Sequence, residues 1–147
     1  MNIADLRTEV ESGNVVAQSI LGICYLEGID VGIDYEKAFR LLSAAALQGA
    51  PRAIANLARM YAEGLGVAPD LPEAARLYEK AAQAGEFFAQ IGIARACLRG
   101  SGVAVDQKAA LKWYSVAAGQ DGSVIDCPEL QEAKEYVHLN VGEKGPA

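Results

Sequence analysis

An all-α solenoid is the fold class that this sequence predicts, on three observations. The chain repeats itself three times at a spacing of thirty-six residues. Ala17, Leu21, Tyr25, Gly28, Val31, Asp34, Ala38, Leu41 and Gly49 return as Ala53, Leu57, Tyr61, Gly64, Val67, Asp70, Ala74, Leu77 and Gly85, and most return again as Ala89, Ile93, Cys97, Gly100, Val103, Asp106, Ala110 and Trp113. Within a unit the apolar residues recur at i, i+4, i+7 and i+8, the stripe of a helix with one buried face. Glycine and aspartate stand at fixed points between the stripes, where helix ends call for them. A period of about 20–50 residues marks stacked units that are each too small to bury an apolar face alone, so the units must share one core.

The elements follow in order, within one domain over residues 1–147. Residues 1–13 hold a lone helix from Ile3 to Ser12, stopped by Gly13 one period before Gly49, which reads as an N-terminal capping helix. In the first repeat, 14–49, Asn14 caps a helix with the stripe Ala17, Leu21, Cys24 and Tyr25, and Gly28 to Val31 make the turn. Asp34 then caps a second helix with the stripe Ala38, Leu41, Leu42, Ala45 and Ala46. The second repeat, 50–85, has Pro51 near its helix start, where a missing N–H costs nothing, and Asp70-Leu-Pro-Glu73 in the form of a capping box. The third repeat is 86–120. Residues 121–147 hold a C-terminal capping helix announced by Asp126, Pro128 and Glu129, with the stripe Leu130, Ala133 and Val137, and then a frayed tail from Gly142.

Composition bounds the function. The net charge of −6 argues against a nucleic-acid or anionic-membrane partner, since both call for a basic stripe. The acidity sits at the two ends, because residues 14–120 carry ten acids and ten bases. Solenoids need polar ends to keep from stacking on one another. No basic segment followed by an apolar run opens the chain and no stretch approaches a membrane span, so a cytoplasmic location is expected, or a periplasmic one if a signal peptide has been removed. Cys24, Cys97 and Cys127 are odd in number and widely spaced, which indicates neither a disulfide framework nor a zinc site. Reduced, mostly buried thiols are expected.

The pattern Ala-x3-Leu-Gly-x2-Tyr-x2-Gly, then Val-x2-Asp-x3-Ala, closing in Ala-Ala-x2-Gly, resembles the Sel-one-like repeat, a relative of the tetratricopeptide repeat. The resemblance covers residues 14–120 in three tandem matches, with the flanks as half-units. It departs at Asp30, which replaces the turn glycine of Gly66 and Gly102, at Ala58 and Ala94 in place of Gly22, and at Cys97 in place of a tyrosine. It implies a right-handed superhelix of antiparallel helix pairs, the first helix of each pair lining a concave surface, and an adaptor or scaffold role, often in bacteria. Some members are immunity proteins that block a toxin. A cysteine-rich branch staples the helices of each repeat with a disulfide and has been linked to β-lactam binding; a hydrolase of that branch is a distant third reading, because Cys24 and Cys97 have no cysteine in the second helix to pair with.

No enzyme, cofactor or metal site is expected. Gly64-Leu-Gly66 and Gly100-Ser-Gly102 follow helices, not strands, and no Gly-Lys-Ser/Thr comes after them, so they read as turns rather than phosphate loops. His138 is the single histidine, and about three helical turns separate it from Cys127. Asp34, Asp70 and Asp106 read as helix caps. Tyr25, Tyr61, Tyr78, Trp113 and Tyr114 read as core.

The face opposite the core stripe is the candidate site. At about 100° per residue it holds Val16, Ser19, Ile23, Leu26 and Glu27, then Arg52, Ala55, Arg59, Ala62 and Glu63, then Phe88, Ile91, Arg95, Leu98 and Arg99. Arginine grips carboxylates bidentately and stacks on aromatics, whereas lysine is a solvated point charge. Four of the chain's seven arginines and none of its lysines lie here. Arg59 can pair with Glu63, and Glu63 with Arg99, but Arg95 and Arg99 repel at i, i+4 with no acid in 87–99 to relieve them. The expected function is a non-catalytic protein-interaction module whose partner, a protein or peptide carrying acidic groups, contacts Ile23, Arg52, Arg59, Phe88, Ile91, Arg95, Leu98 and Arg99. The alternative is an immunity protein whose acidic stretch 126–135 fills a basic active site.

Overall fold

The structure is a computed structural model and describes residues 2–120 and 127–141. Among these residues there are eight helices and no strand: α1 (Ile3–Glu11), α2 (Val15–Glu27), α3 (Tyr35–Leu47), α4 (Pro51–Glu63), α5 (Leu71–Gln83), α6 (Phe87–Arg99), α7 (Gln107–Ala118) and α8 (Pro128–Val141). They form a solenoid in which each helix packs mainly on its neighbours in sequence, and α2 also touches α4 across the repeat boundary. The pairs α2/α3, α4/α5 and α6/α7 are the three repeats. Helix α1 covers one end with Leu6 buried, and α8 covers the other with Leu130 and Ala133 buried and Val137 half-buried.

The helix starts are where the sequence puts them. Asn14 accepts from the backbone N–H of Val16 and Ala17 at 3.0 and 3.1 Å. Asp34, Asp70 and Asp106 each accept from the N–H three residues on, Lys37, Glu73 and Ala109, at 3.1, 3.0 and 3.0 Å. The box expected at Asp70 is only half made: the Glu73 carboxylate turns to Arg76, at 2.9 and 2.6 Å, instead of reaching back. A full capping box forms where none was read, between Asn2 and Asp5 at the start of α1. Asp126, expected to cap α8, and the tail from Gly142 lie outside the described residues.

Main-chain bonds fix the turn inside each repeat. The N–H of Asp34, Asp70 and Asp106 donates to the carbonyl of Tyr25, Tyr61 and Cys97, each at 2.9 Å, so replacing tyrosine by Cys97 costs the turn nothing. Gly66 and Gly102 take positive φ, and they also press on the second helix of the preceding repeat. A Cβ on Gly66 would lie 2.5 Å from Cβ of Tyr35, and one on Gly102 would lie 2.1 Å from the carbonyl oxygen of Leu71. Backbone cannot yield as a side-chain end can, so these two positions admit only glycine. Asp30 reaches φ 58° at the equivalent point; α1 begins at Ile3, four positions later in the repeat frame than α3, so no helix start faces it.

Small residues hold the layers together. Ala38, Ala45, Ala53, Ala58, Ala81, Ala89, Ala94, Ala110 and Ala117 are fully buried and let helix backbones approach closely, while Leu42, Met60 and Tyr114 fill the space between. Cys24 and Cys97 are buried free thiols, both pushed up mainly by burial, and Cys127 is a half-buried free thiol.

Candidate functional site: a groove across the first helices

The first helices α2, α4 and α6, with the start of α8, wall a groove of about 550 Å³. Of the eight residues expected to bind a partner, Ile23, Arg52, Arg59, Phe88, Ile91 and Arg95 line it. Arg99 lies beside an adjacent depression of about 290 Å³ that shares Arg95 and Tyr78 with the groove. Leu98 lines neither cavity; it is half-buried and packs against the core. The face is also narrower than a helical wheel implies. Ser19, Leu26, Ala55 and Ile91 are buried. An isolated helix has one buried stripe, but a first helix in a stack also has other helices on its flanks, α4 beside α2 and α8 beside α6 among them.

The arginines do not stand alone. Arg59 reaches Glu27 of the preceding repeat in a tight ion pair and also contacts Glu63 on its own helix. With Glu63 on Arg59, the Glu63–Arg99 pair expected from spacing is not among the ion pairs of the described residues. Arg95 has a relieving acid after all, thirty-seven residues away: Nε and Nη2 both donate to Glu132 of α8. Tyr114 completes this contact by donating its hydroxyl to Glu132 Oε1 at 2.6 Å, and its ring lies 4.6 Å from that of Tyr136. The Arg95 guanidinium first, and then the Tyr114 hydroxyl, holds the Glu132 carboxyl below the usual range against the opposing effect of burial. Burial first, then the hydrogen bond to Glu132, pushes the Tyr114 hydroxyl far up.

Four acids, Glu27, Glu63, Glu86 and Glu129, line the groove beside its three arginines. The groove thus carries both signs and is not lined by arginine alone. Glu86 caps α6, accepting from the Ala89 N–H at 2.7 Å, and burial pushes its carboxyl up despite that bond and the nearby Arg52. Among the described residues the side chains of Arg52, Arg99 and Glu129 make no ion pair and no hydrogen bond, so the unspent charge sits at the ends of the helices.

Six lining residues lie outside the face read from the sequence: Ile29, Asn56, Tyr78, Glu86, Gly92 and Glu129. Tyr78 of α5, read as core, lies between α4 and α6 and forms part of the floor. Burial, then Glu63, pushes its hydroxyl up to about 12, with Arg59 and Arg95 opposing. Gly92 makes this possible: a Cβ there would come within 2.6 Å of the Tyr78 ring. The signal was present in the repeat frame, where Gly92 stands mid-helix at the place of Ile20 and Asn56, and Tyr78 stands between Leu42 and Tyr114. Glu129 and Glu132 belong to a helix displaced from the strict period, so periodicity could not project them onto this face. No group of three or more His, Cys, Asp or Glu among the described residues is placed to hold a metal ion. No helix among them is long and apolar enough to cross a membrane.

Comparison with known proteins agrees with the repeat frame. The family model of the Sel1 repeat matches residues 15–49, 51–86 and 88–121. No curated protein matches the chain. Among solved structures, a Sel1 repeat protein from Oxalobacter formigenes is 37% identical with a TM-score of 0.76, over 93% of this chain and 97% of that one. The protective antigen c5321 of uropathogenic Escherichia coli strains, which displays the same repeat fold, is 38% identical with a TM-score of 0.75; the match covers 80% of this chain and only 25% of the antigen. Cysteine rich protein B of Helicobacter pylori shares the fold, at 23% identity and a TM-score of 0.65 over 80% of this chain and 90% of that one. Sel1 repeat proteins generally mediate protein–protein interaction, and the scaffold is typically non-catalytic.

Proposed function

This chain belongs to the Sel1 repeat family, and we propose that it works as a non-catalytic adaptor or scaffold module that holds a segment of a partner protein along the groove. The observation that carries the reading is the groove itself, because three repeats and the capping helix all contribute to one continuous surface. Phe88 is 55% exposed within it, above an apolar floor of Ile23, Ala55, Tyr78 and Ile91. An exposed aromatic over an apolar floor, rimmed by charge, is the composition of a recognition surface. The immunity reading loses one acid of its stretch, since Glu132 is spent on Arg95 and Tyr114.

Site-specific photo-crosslinking in cells that express the chain tests this. A crosslinker at position 23 or 88, both in the groove, should capture the same protein, and one at Leu47, 90% exposed and outside the groove, should not. The captured protein should bind the purified chain, and Phe88→Ser should weaken that binding at least tenfold. Capture from Leu47 alone, or binding indifferent to Phe88→Ser, would place the interface elsewhere.

A further inference from the structure

We propose that the segment held in the groove carries an acidic residue facing α4, a bulky apolar residue facing α6 and a basic residue facing α8, with the apolar residue between the two charges. This rests on the reading of the groove above and adds the chemistry of the occupant. Arg52, Phe88 and Glu129 are each the second residue of their helix, on three successive walls, and all three line the groove. They offer, in order along the solenoid, a cation, an aromatic and an anion.

The charges at these places are available. The guanidiniums in the middle of the groove are taken, Arg59 by Glu27 and Glu63 and Arg95 by Glu132. Arg52 and Glu129 have neither an ion pair nor a side-chain hydrogen bond among the described residues. Glu86, the acid whose field reaches Arg52, has its carboxylate on the N–H that starts α6. An incoming carboxylate at Arg52 and an incoming ammonium or guanidinium at Glu129 would each gain a partner without displacing an existing one. Opposite charges at the two ends also give the segment a fixed direction, because reversing it would set like charges together.

The apolar seat lies between them. Phe88 forms its rim, the buried Ile91 its wall, and the Tyr78 ring its floor, bared because Gly92 has no side chain to cover it. A helix-interior glycine costs about 1 kcal/mol against alanine, and here it opens space at the one unit where the floor is aromatic. The Tyr78 hydroxyl has no hydrogen-bond partner among the described residues, whereas its counterpart one period on, Tyr114, donates to Glu132. It is therefore a donor suited to a main-chain carbonyl of an extended segment. The order follows from the walls: Arg52, Phe88 and Glu129 stand on successive helices lining one groove, so an extended segment that crosses it meets them in turn.

Panning a phage-displayed library of random peptides on the whole chain tests the proposal. The expected consensus is an acid and a base flanking a large apolar residue, at one fixed spacing. Panning on Arg52→Glu should replace the acid by a base, and panning on Glu129→Lys should replace the base by an acid. In fluorescence anisotropy the synthetic consensus peptide should bind Arg52→Glu at least tenfold more weakly, and a lysine in place of its acid should restore most of the loss. Arg52→Gln and Glu129→Gln, checked by circular dichroism, give neutral controls and should each cost severalfold. A consensus that keeps its charges on both reversed variants, or carries none, overturns the proposal; if such peptides still lose affinity on Phe88→Ser, the groove reading survives. Failure to enrich any peptide, or peptides indifferent to every groove substitution, overturns both. A chain that sediments as a dimer, with dimerisation lost in Arg52→Glu, would make a second copy the occupant and also overturn it.

Discussion

Arg59 and Arg95 stand one period apart on the same face of successive first helices, yet their surroundings differ. Arg59 looks backward to Glu27 and along its own helix to Glu63, within the groove. Arg95 looks forward to Glu132 and shares it with Tyr114, in a contact that ties the capping helix to the last repeat. The tyrosine one period before Tyr114, Tyr78, bonds to no carboxylate among the described residues and forms groove floor instead. A repeat position fixes where a side chain sits; the next unit fixes what it meets. The interior unit spends its arginine on acids along the groove and leaves its tyrosine as floor, whereas the last unit spends the same pair on closing the stack.

The sharpest test of this contrast is to remove the two tyrosines. Tyr114→Ala should cost about 3–5 kcal/mol, the range for truncating a buried aromatic, and it strips Glu132 of a donor and Tyr136 of its ring contact. Tyr78→Ala should cost distinctly less, since Tyr78 is only half-buried and its hydroxyl holds nothing. Urea titration followed by circular dichroism measures both. Equal losses would mean that the groove floor is as much a part of the core as the cap contact.

Gly92→Ala comes next in size. Its gain in helix propensity, about 1 kcal/mol, opposes overpacking against the Tyr78 ring, about 1–3 kcal/mol, so a net loss of about 1 kcal/mol is expected. Asn56→Ala, at the same place one repeat earlier, meets no such ring and should stay within about 0.5 kcal/mol. Thermal melts of the two variants decide it, and an unchanged melting temperature for Gly92→Ala would show that the ring moves aside.

A smaller effect separates the two arginine sites by pH. Glu132→Gln should cost on the order of 1 kcal/mol or less at pH 7, because the pair is partly exposed and solvent screens it. Glu132 titrates below its usual range in the folded chain, chiefly through Arg95. Its contribution is therefore full above the unfolded value near 4.5 and fades as pH falls through the lower folded value. Wild type and Glu132→Gln should accordingly differ in melting temperature at pH 7, and the difference should shrink as pH falls below about 4.5. Glu27→Gln leaves Arg59 with Glu63 and should cost only a few tenths of a kcal/mol. A difference for Glu132→Gln that persists unchanged at pH 3.5 would show that the ion pair is not its source.

The least effect should appear in the thiols. Cys24 and Cys97 should label slowly in the native chain, and Cys127 faster. Tyr114→Ala should speed Cys127, just ahead of α8, and leave Cys24 unchanged. Acceleration at all three cysteines would mean that the stack opens as a whole, not at its capped end.

Much of the fold was legible because it depends on local rules repeated three times. Asn14, Asp34, Asp70 and Asp106 cap helices through their own side chains, the glycines mark the turns, and the apolar stripes point each helix inward. The sequence also located the groove face, since Ile23, Arg52, Arg59, Phe88, Ile91 and Arg95 follow from a helical wheel carried up by the period. Periodicity ran out where units touch. Ile91 is buried and Leu98 turns to the core because α6 has α5, α7 and α8 packed around it, which no single-helix projection contains. Gly92 and Tyr78 come together only when α5 packs behind α6. The acid that relieves Arg95 lies on α8, outside the repeating frame. Charge and burial at the groove are thus decided between helices far apart in sequence, at distances set by packing, while the sequence by itself determined which helices exist, where they end and which side of each faces in.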